Sequence, residues 1–301
     1  MKIHYSFDDF EEIKNPVVTT GIFDGVHIGH SYIISRLNEL ADQVDGESVL
    51  ITFHPHPRKI LLPEKVAELK LINSQKEKKI MLSTTKLDHL FVIEFTKEFS
   101  EITSEKFVTD ILLNKLKAKV IVVGFNHHFG HNREGDYEYL YNLSKKRNFI
   151  VEEIPQQDIE NETVSSTRIR KAILEGQIMR ANAYLNHQYF IHGNLYNTGQ
   201  NQENELKYII ELDEKEKLLP PAGRYAAKIK QNGQIFSCIS EIIETSGKPK
   251  VFVIEVENFT FNPNKPVNLY FFKRLRFFDE DPENFIKTRE TDKNNVKRLI
   301  Y

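Results

Sequence analysis

The sequence has very little cysteine and no excess of either charge. Among the 301 residues Cys238 is the one cysteine, so no disulfide can form within the chain. A single thiol is compatible with a reducing compartment such as the cytoplasm. The formal net charge of -2, from 41 basic and 43 acidic residues, gives no long-range attraction to nucleic acid or to an anionic membrane. Any anion must therefore be bound by a local cluster of residues.

Long apolar runs are also absent. Residues 1–16 are polar and acidic and contain no apolar signal core. No segment approaches the roughly 18 consecutive apolar residues that a membrane helix needs. We therefore expect a soluble cytoplasmic protein with no membrane partner. A chain of 301 residues, 40% of them hydrophobic, is long enough to form two cores.

The first 185 residues alternate short apolar runs with helical patterns. We predict strands at 16–23, 48–53, 89–95, 119–125 and 149–154, and helices at 74–87, 104–116 and 137–147. One further helix follows residue 30, with Ile33, Ile34, Leu37, Leu40 and Ala41 on a single face. Strands that alternate with helices indicate an α/β domain with a parallel, Rossmann-like sheet. Ligands bind such sheets beyond the carboxyl ends of the strands.

From about residue 187 the pattern changes to strands without helices between them. Six strand-like runs lie at 189–196, 206–212, 223–230, 234–243, 250–259 and 267–277. Asn232-Gly233 between two of them is a strong hairpin signal. A polar helix is predicted at roughly 281–300. The sequence thus predicts two domains, 1–186 and 187–301, the second a small antiparallel β-barrel with a terminal helix.

The segment GIFDGVHIGH, residues 21–30, lies where the first long strand becomes a helix. A helix N-terminus binds phosphate through free amide groups, and Gly25 and Gly29 allow a ligand to approach the backbone. His27 and His30, three residues apart, can face one side and donate to phosphate oxygens. Two other interpretations remain open. In the first, the histidines only cap the helix; in the second, they bind zinc, which needs further ligands.

The segment VSSTRIR, residues 164–170, opens a second helix with two arginines in its first turn. Ser165 at such a position is ordinary capping. Capping does not explain Arg168 and Arg170, because the helix dipole disfavours cations there. An anionic ligand held by the hydroxyls and clamped by Arg168 would explain them. A capped and solvated helix is the alternative.

Two more loops follow predicted strands. GFNHHFG at 124–130 offers Phe125 and Phe129, which either stack on a flat ligand or belong to the core. FHPHP at 53–57 is stiffened by its prolines. His54, His56, His127 and His128 are candidate metal ligands, but their spacing matches no established ligand pattern. No metal ligand is assigned.

Taken in their order along the chain, the motifs of these four loops resemble those of the bacterial FAD synthetases, which are bifunctional riboflavin kinase/FMN adenylyltransferases of the nucleotidyltransferase superfamily. The family pattern runs G-x-F-D-G-V-H-x-G-H, T-F-x-P-H-P, G-x-x-F-x-F-G-x-x-R-x-G-D and S-S-T-x-I-R. This chain has GIFDGVHIGH, TFHPHP, GFNHHFGHNREGD and SSTRIR, over about residues 15–186. The resemblance implies transfer of AMP from ATP to FMN, with FAD and pyrophosphate as products and Mg²⁺ accompanying ATP.

The resemblance also implies roles for individual residues. The implied catalytic residues are His27, His30 and Arg168. The implied ATP site consists of Gly21, Phe23, Asp24, Gly25, His27, Gly29, His30, Ser165, Ser166, Thr167 and Arg168. The implied FMN site consists of Phe53, His54, Pro55, Phe125, Asn126 and Phe129. Because nucleotidyl transfer depends on positioning and charge stabilisation, no general base is required.

The second half resembles the riboflavin kinase module of the same family, but its chemistry departs from the pattern. LLPPAGRYA at 218–226 matches L-L-P-x-x-G-V-Y-A. The family's P-T-A-N, which holds Mg²⁺ and phosphate, falls on Tyr208-Ile209-Ile210-Glu211. The preceding loop, 197–205, lacks arginine, and only Glu255 or Glu257 remains near the place of the catalytic glutamate. Isoleucine cannot bind a cation or donate to phosphate.

We therefore expect an FMN adenylyltransferase whose kinase module has lost riboflavin phosphorylation. One alternative is the full bifunctional enzyme, in which another loop has taken over the phosphate contacts. Another is a non-catalytic flavin- or nucleotide-binding protein, opposed by the intact motifs of the first module. Nucleic-acid binding is not favoured, because the sequence contains no basic or aromatic-basic stripe.

Overall fold

A computed structural model describes residues 1–64, 69–125, 127–155, 158–159, 162–200, 206–245, 248–255, 261–278 and 287–299. The chain forms two compact units. One contains Met1–Leu69 and Lys78–Val164, and the other contains Lys70–Glu77 and Ser165–Tyr301. The second unit thus takes a short segment from within the sequence of the first.

The first unit is built on a parallel sheet. Its strands are β1 (Lys2–His4), β2 (Val17–Thr20), β3 (Ser48–His54), β4 (His89–Glu94), β5 (Val120–Gly124) and β6 (Ile150–Ile154). Their order across the sheet is β1-β4-β3-β2-β5-β6, with every neighbouring pair parallel. From β2 the chain builds the sheet first to one side and then to the other. The switch point therefore lies between β2 and β5. A separate antiparallel pair, β7 (Asp158–Ile159) and β8 (Glu162–Thr163), follows.

Helices connect these strands. They are α1 (Ile28–Gln43), α2 (Pro57–Leu61), α3 (Gln75–Leu82), α4 (Lys97–Ser100), α5 (Ser104–Lys106) and α6 (Tyr137–Ser144). A π-helix, Phe107–Lys115, continues directly from α5, and a 3-10 turn covers His131–Arg133. The α/β fold with a parallel sheet is confirmed.

The core of this unit lies on both faces of the sheet because successive strand residues point to opposite sides. One cluster combines Val17, Leu50, Leu90, Val120 and Val122 with Ile34, Leu37, Leu40 and Ala41 of α1. The other combines Val18, Val49, Ile51, Ile121 and Val123 with Phe107, Val108, Ile111 and Leu112 of the π-helix. The apolar face predicted for α1 is thus buried, with Ile33 only partly so.

Several predicted bounds were wrong. The first strand ends at Thr20 rather than residue 23, because the backbone turns sharply over the next six residues. The helix predicted at 104–116 is mostly π-helical, which apolar periodicity does not distinguish from α. The helix predicted at 74–87 ends at Leu82. Strand β1 was not predicted, since it has three residues and its first two are exposed.

The second unit contains a closed antiparallel barrel. Its strands are β9 (Phe190–Gln200), β10 (Leu206–Leu212), β11 (Gly223–Gln231), β12 (Gln234–Thr245), β13 (Lys248–Glu255) and β14 (Lys265–Phe277). They close in the order β10-β13-β12-β11-β14-β9. Helices α7 (Ser166–Leu174) and α8 (Ile178–Leu185) precede the barrel in this unit, and α9 (Arg289–Leu299) follows it. The predicted barrel and terminal helix are confirmed.

The hairpin between β11 and β12 turns at the predicted place. Gln231 pairs with Gln234, so Asn232 and Gly233 are the two turn residues. Both have positive φ, 50° and 84°. A type I′ turn needs this geometry, and the sequence Asn-Gly favours it.

A buried network of charges holds α9 on the barrel. Arg224 of β11 is fully buried and donates to Glu241 Oε1 at 2.9 Å and Asp292 Oδ2 at 2.7 Å. Arg276 also donates to Asp292, at 2.8 Å, and Arg289 donates to Glu241 at 3.3 Å. Asp292 and Arg289 belong to α9. Arginine at 224, where the family pattern has valine, is therefore accommodated by two buried carboxylates.

A second buried ion pair ties residues 70–77 to the barrel strands within this unit. Lys217 Nζ lies 2.6 Å from Glu77 Oε2 and also donates to the carbonyl of Ile72. The other Glu77 oxygen accepts the His192 amide of β9 at 2.7 Å. Both charged side chains are almost fully buried. The short segment is thus an integral part of the second unit.

Candidate functional site

The loops that leave β2, β3 and β5 emerge together at the carboxyl edge of the parallel sheet. The three strands are adjacent in the order β3-β2-β5, and the switch point lies between the last two. Crevices at such points are the usual ligand sites of α/β sheets. The first unit therefore brings residues 21–30, 53–57, 124–125 and 127–130 to one edge.

The backbone after β2 is held in an unusual conformation. Phe23, Gly25 and Val26 have φ values of 51°, 95° and 42°. Glycine adopts this region freely, but a β-branched residue such as valine does so rarely and at a cost of about 1–3 kcal/mol. Phe23 and Val26 are buried, so packing holds the strained turn in place. The turn ends at the N-terminus of α1.

His27 and His30 meet at that N-terminus. His27 is the N-cap of α1, and its Nδ1 accepts the amide N–H of His30 at 3.4 Å. The two rings stack with centroids 3.6 Å apart and planes 16° from parallel. The Phe23 ring lies 4.6 Å from the His30 ring. The capping interpretation is therefore confirmed for His27 Nδ1, and it does not conflict with the phosphate interpretation, because capping uses one of the two ring nitrogens.

The pKa of His30 lies well below its usual value. The main cause is burial, and the nearby imidazole of His27 and ammonium of Lys78 lower it further. His30 is thus neutral at pH 7. Its Nδ1 is buried without a hydrogen-bond partner in the structure.

Lys78 is a residue of this region that the sequence analysis missed. It lies on α3, is 3% exposed, and donates to the carbonyl of Ile22 at 2.6 Å. Thr52 of β3, also buried, donates its hydroxyl to the same carbonyl at 3.1 Å. Residues 74–87 have a basic, surface-like composition, so nothing in the pattern marks this lysine as buried.

The residues at the end of β3 differ in their burial. Phe53 is half-buried and contacts Phe95 and Phe99, with ring centroids 5.7 and 5.3 Å away. His54 is exposed at the strand end, and the half-buried Pro55 follows it. His54 and Pro55 thus lie at the carboxyl edge of the sheet, whereas Phe53 also packs against the core.

The loop after β5 separates its two phenylalanines. Phe125 is 52% exposed, which leaves its ring available to a flat ligand. Phe129 packs against Phe107 and Tyr139 beside the core. Its contacts in the structure therefore agree with the interpretation of Phe129 as a core residue. Asn126 lies outside the described residues.

His127 in the same loop has its pKa lowered to about 4, mainly by burial and secondarily by His128 and Arg133. Its ring stacks beside that of Phe129, 5.9 Å between centroids. A histidine that is neutral at physiological pH can serve as a hydrogen-bond donor or acceptor without carrying charge.

The Ser165–Arg168 segment belongs to the second unit. Ser165 is the N-cap of α7 and its hydroxyl accepts the Arg168 amide at 3.3 Å. Thr167 and Arg168 are exposed, and Ser166 is half-buried. Arg170 donates to the carbonyl of Lys70 at 3.0 Å, so a structural contact explains one of the two arginines.

The positions that align with the kinase P-T-A-N lie in a regular strand. Ile209 of β10 pairs with Tyr196 on one side and Phe252 on the other, and Ile210 pairs with Leu195 and Val251. Tyr208 and Ile210 are buried. Residues 201–205 and Glu257 lie outside the described residues, as does the side chain of Glu255.

Clusters of three or more His, Cys, Asp or Glu side chains suited to a metal ion are absent from the part of the chain that the structure describes. His54, His56, His127 and His128 are accordingly not brought together as such a cluster. Within the same residues, the helices are too short or too polar to span a membrane.

The parallel sheet, with its switch point between β2 and β5, gives the first unit the architecture of a nucleotide-binding α/β module. The sequence model described as FAD synthetase matches residues 9–168. The chain therefore belongs to the FAD synthetase family, and its activity is FMN adenylyl transfer, which makes FAD and pyrophosphate from FMN and ATP.

Curated relatives agree with this assignment. A bifunctional riboflavin kinase/FMN adenylyltransferase of Buchnera aphidicola is 31% identical over 92% of this chain and 91% of the relative. One from Listeria monocytogenes is 26% identical over 97% and 95%. An FAD synthetase of Listeria monocytogenes is 34% identical over 63% of this chain and 76% of its own.

A solved structure shows the same fold. A Streptococcus pneumoniae protein described as a macrolide-efflux protein superimposes with a TM-score of 0.84, over 99% of this chain and 98% of that chain. Their identity of 22% limits this similarity to the fold.

Proposed function

We propose that adenylyl transfer takes place at the loop after β2, with His27 and His30 stabilising the ATP phosphates, and that the barrel no longer phosphorylates riboflavin. The observation that carries the first part is the stacked histidine pair at the N-terminus of α1, at the switch point. Free amides, the helix dipole and two imidazoles converge there on one anionic ligand.

The chemistry needs charge stabilisation at this place. A phosphate oxygen of FMN attacks the α-phosphorus of ATP, and the bond to the pyrophosphate leaving group breaks. Negative charge then builds on the phosphoryl oxygens. Because His27 Nδ1 accepts an amide proton, a neutral His27 carries its own proton on Nε2 and can donate it in a hydrogen bond. Preorganised donors of this kind lower the barrier because they need no rearrangement during the reaction.

The remaining roles follow the family resemblance. On the ATP side, Gly21, Gly25 and Gly29 let phosphate approach the backbone, and Ser165, Ser166, Thr167 and Arg168 bind it through hydroxyls and a guanidinium. On the FMN side we place Phe53, His54, Pro55, Phe125, Asn126 and Phe129. The exposed ring of Phe125 is best supported as a stacking surface.

We also propose that Mg²⁺ enters with ATP. A nucleotide-bound Mg²⁺ takes most of its ligands from phosphate oxygens and water, so it does not need a protein cage. The donor set found after β2, imidazoles and amides, suits phosphate rather than a hard cation. We assign no protein ligand to the metal. A cytoplasmic location is supported by the cysteine content, because Cys238 is the one cysteine of the sequence and is a free thiol.

The proposed loss of kinase activity rests on β10. Ile209 and Ile210 offer neither an oxygen for Mg²⁺ nor a donor for phosphate, and their backbones are engaged with strands on both sides. The alternative of a bifunctional enzyme requires another loop to supply both groups.

A chromatographic assay tests both parts. The protein is incubated with ATP and Mg²⁺, with FMN in one arm and riboflavin in the other. We expect FAD from FMN and no FMN from riboflavin. FMN formed from riboflavin at a turnover similar to FAD synthesis would overturn the loss of the kinase. An absence of FAD in the first arm would overturn the proposed site.

A further inference from the structure

Lys78 has a buried position that the family motifs quoted above do not account for. Its side chain reaches from α3 to the carbonyl of Ile22, 2.6 Å away, in the turn between β2 and α1. Its ammonium is also 3.5 Å from the hydroxyl oxygen of Thr52. The carbonyl of Ile22 therefore accepts from two side chains, one from α3 and one from β3.

These contacts fix the start of the strained turn. The amide of Gly21 donates to the carbonyl of Ile51 at 3.0 Å, so the chain is tied to β3 immediately before Ile22. Positive φ begins at the next residue, Phe23. A strained backbone persists only where its surroundings over-determine it. Lys78 and Thr52 supply that restraint at the entrance of the turn.

The charge of Lys78 also acts on the histidines. Burying an ammonium group is expensive, and hydrogen bonds to its protons offset part of the cost. The ammonium is close enough to His30 to contribute to the low pKa of that imidazole, together with burial and His27. It therefore adds positive potential at His30.

We propose that Lys78 is a positioning residue for adenylyl transfer, which holds the Gly21–His30 turn in its strained form and adds a fixed positive charge near His30. The inference rests on the proposed role of the histidines. It predicts that Lys78 acts through the turn and does not itself contact the substrates.

The test compares Lys78→Met with Lys79→Met. Lys79 is the next residue of the same helix, and its ammonium contacts only the exposed Tyr5 among the contacts that the structure gives it. Methionine is unbranched and close to lysine in length, and it removes the charge. We expect kcat for FAD formation to fall about 10- to 100-fold in Lys78→Met, and to stay within twofold in Lys79→Met, because small displacements of reacting groups have effects of this size.

A second readout separates positioning from a general loss of structure. NMR titration of the imidazole protons should show a higher pKa for His30 in Lys78→Met, since the positive charge of the nearby ammonium is gone. Thr52→Val removes the other donor to Ile22 without changing charge. It should lower kcat without raising the His30 pKa.

The outcomes are distinguishable. A folded Lys78→Met with kcat within twofold of wild type and an unchanged His30 pKa would overturn the proposal. If Lys78→Met does not fold, Thr52→Val decides, and an unchanged kcat there overturns it. The proposed role of the histidines is tested separately by His30→Ala. FAD formation that persists in this variant would contradict that role.

Discussion

His27 Nδ1 accepts the amide proton of His30, and the rings of the same two residues stack 3.6 Å apart. His27 therefore caps α1, and His30 in the first turn of the same helix stacks on its ring. Local stability and ligand binding depend on the same pair, so substitutions must be chosen to separate the two effects.

Replacing His30 with alanine should lower kcat for FAD formation by roughly 10²–10³-fold, because it removes a preorganised group next to the developing charge. Steady-state assays with FMN and ATP measure this. His187→Ala, a histidine of the second unit with no proposed role, is the control. A rate within a few-fold of wild type in His30→Ala would contradict the assignment.

His27→Ala should lose both activity and about 1 kcal/mol of stability, since it removes the N-cap of α1. His27→Asn keeps a capping oxygen and should recover the stability but not the rate. Urea unfolding and FAD assays on both variants separate the effects. Recovery of full activity in His27→Asn would show that capping is the only role of His27.

Phe125→Ala should raise KM for FMN by about 2- to 10-fold, the loss expected for one aromatic stacking contact. The ring is 52% exposed, so the fold should tolerate the change. Phe125→Tyr keeps the ring and should restore KM. An unchanged KM for FMN in the alanine variant would remove Phe125 from the FMN site.

The free energy of unfolding should fall as pH is lowered from about 6.5 to about 4, in part because of His127. The folded state keeps this imidazole neutral down to its pKa of about 4, whereas the unfolded chain protonates it near the ordinary value of 6.5. The unfolded state thus binds more protons in this interval, with a slope of at most about 1.4 kcal/mol per pH unit for one group. His4 and His30, whose pKa values are also lowered, act in the same direction.

Urea unfolding at several pH values, for wild type and His127→Gln, gives the free energy of unfolding as a function of pH. The difference between the two slopes is the contribution of His127. The variant should be less sensitive to pH between 4 and 6.5. Equal slopes would show that His127 titrates normally in the folded protein.

Asp292→Asn should destabilise the second unit by about 3–5 kcal/mol, because Arg224 and Arg276 keep buried or half-buried charges that lose a shared partner. Glu290→Gln is the matched control. It lies on the same helix, is exposed and pairs with Lys293, so it should cost no more than about 0.5 kcal/mol. Hydrogen exchange of the α9 amides, with denaturant unfolding, measures both. Similar protection in the two variants would contradict a structural role for the buried network.

Gly233→Ala should cost about 1 kcal/mol, because its φ of 84° disfavours any side chain. An added Cβ meets no atom within 4 Å, so no clash contributes. Gly233→Asn should cost less, since asparagine tolerates this region. Denaturant unfolding that ranks asparagine below alanine in stability would contradict the backbone explanation.

Local patterns predicted much of the fold. The alternation at 206–212 and 223–230 and the Asn232-Gly233 turn mark the barrel because each signal is contained in a few neighbouring residues. The end of the first strand could not be predicted in the same way. Val26 is a β-branched residue in a left-handed conformation, which tertiary packing imposes against local preference.

The candidate site was only partly accessible from the sequence. The spacing of His27 and His30 and the glycines around them lie within one short motif, and this motif predicts an anion site. Lys78 and Thr52 carry no such pattern, and their meeting at the carbonyl of Ile22 depends on three separate elements. The core contacts of Phe129, likewise, depend on residues distant in sequence.

Residues 70–77 have a practical consequence for anyone who wishes to divide this chain. No single cut separates the two units, because the chain enters the second one twice. A fragment that stops near residue 186 would keep Glu77 but lose Lys217, and would leave a buried carboxylate without its cation and the apolar Leu71 and Ile72 without their cover. Shortened versions of this enzyme should therefore carry Glu77→Gln and polar replacements at those two positions.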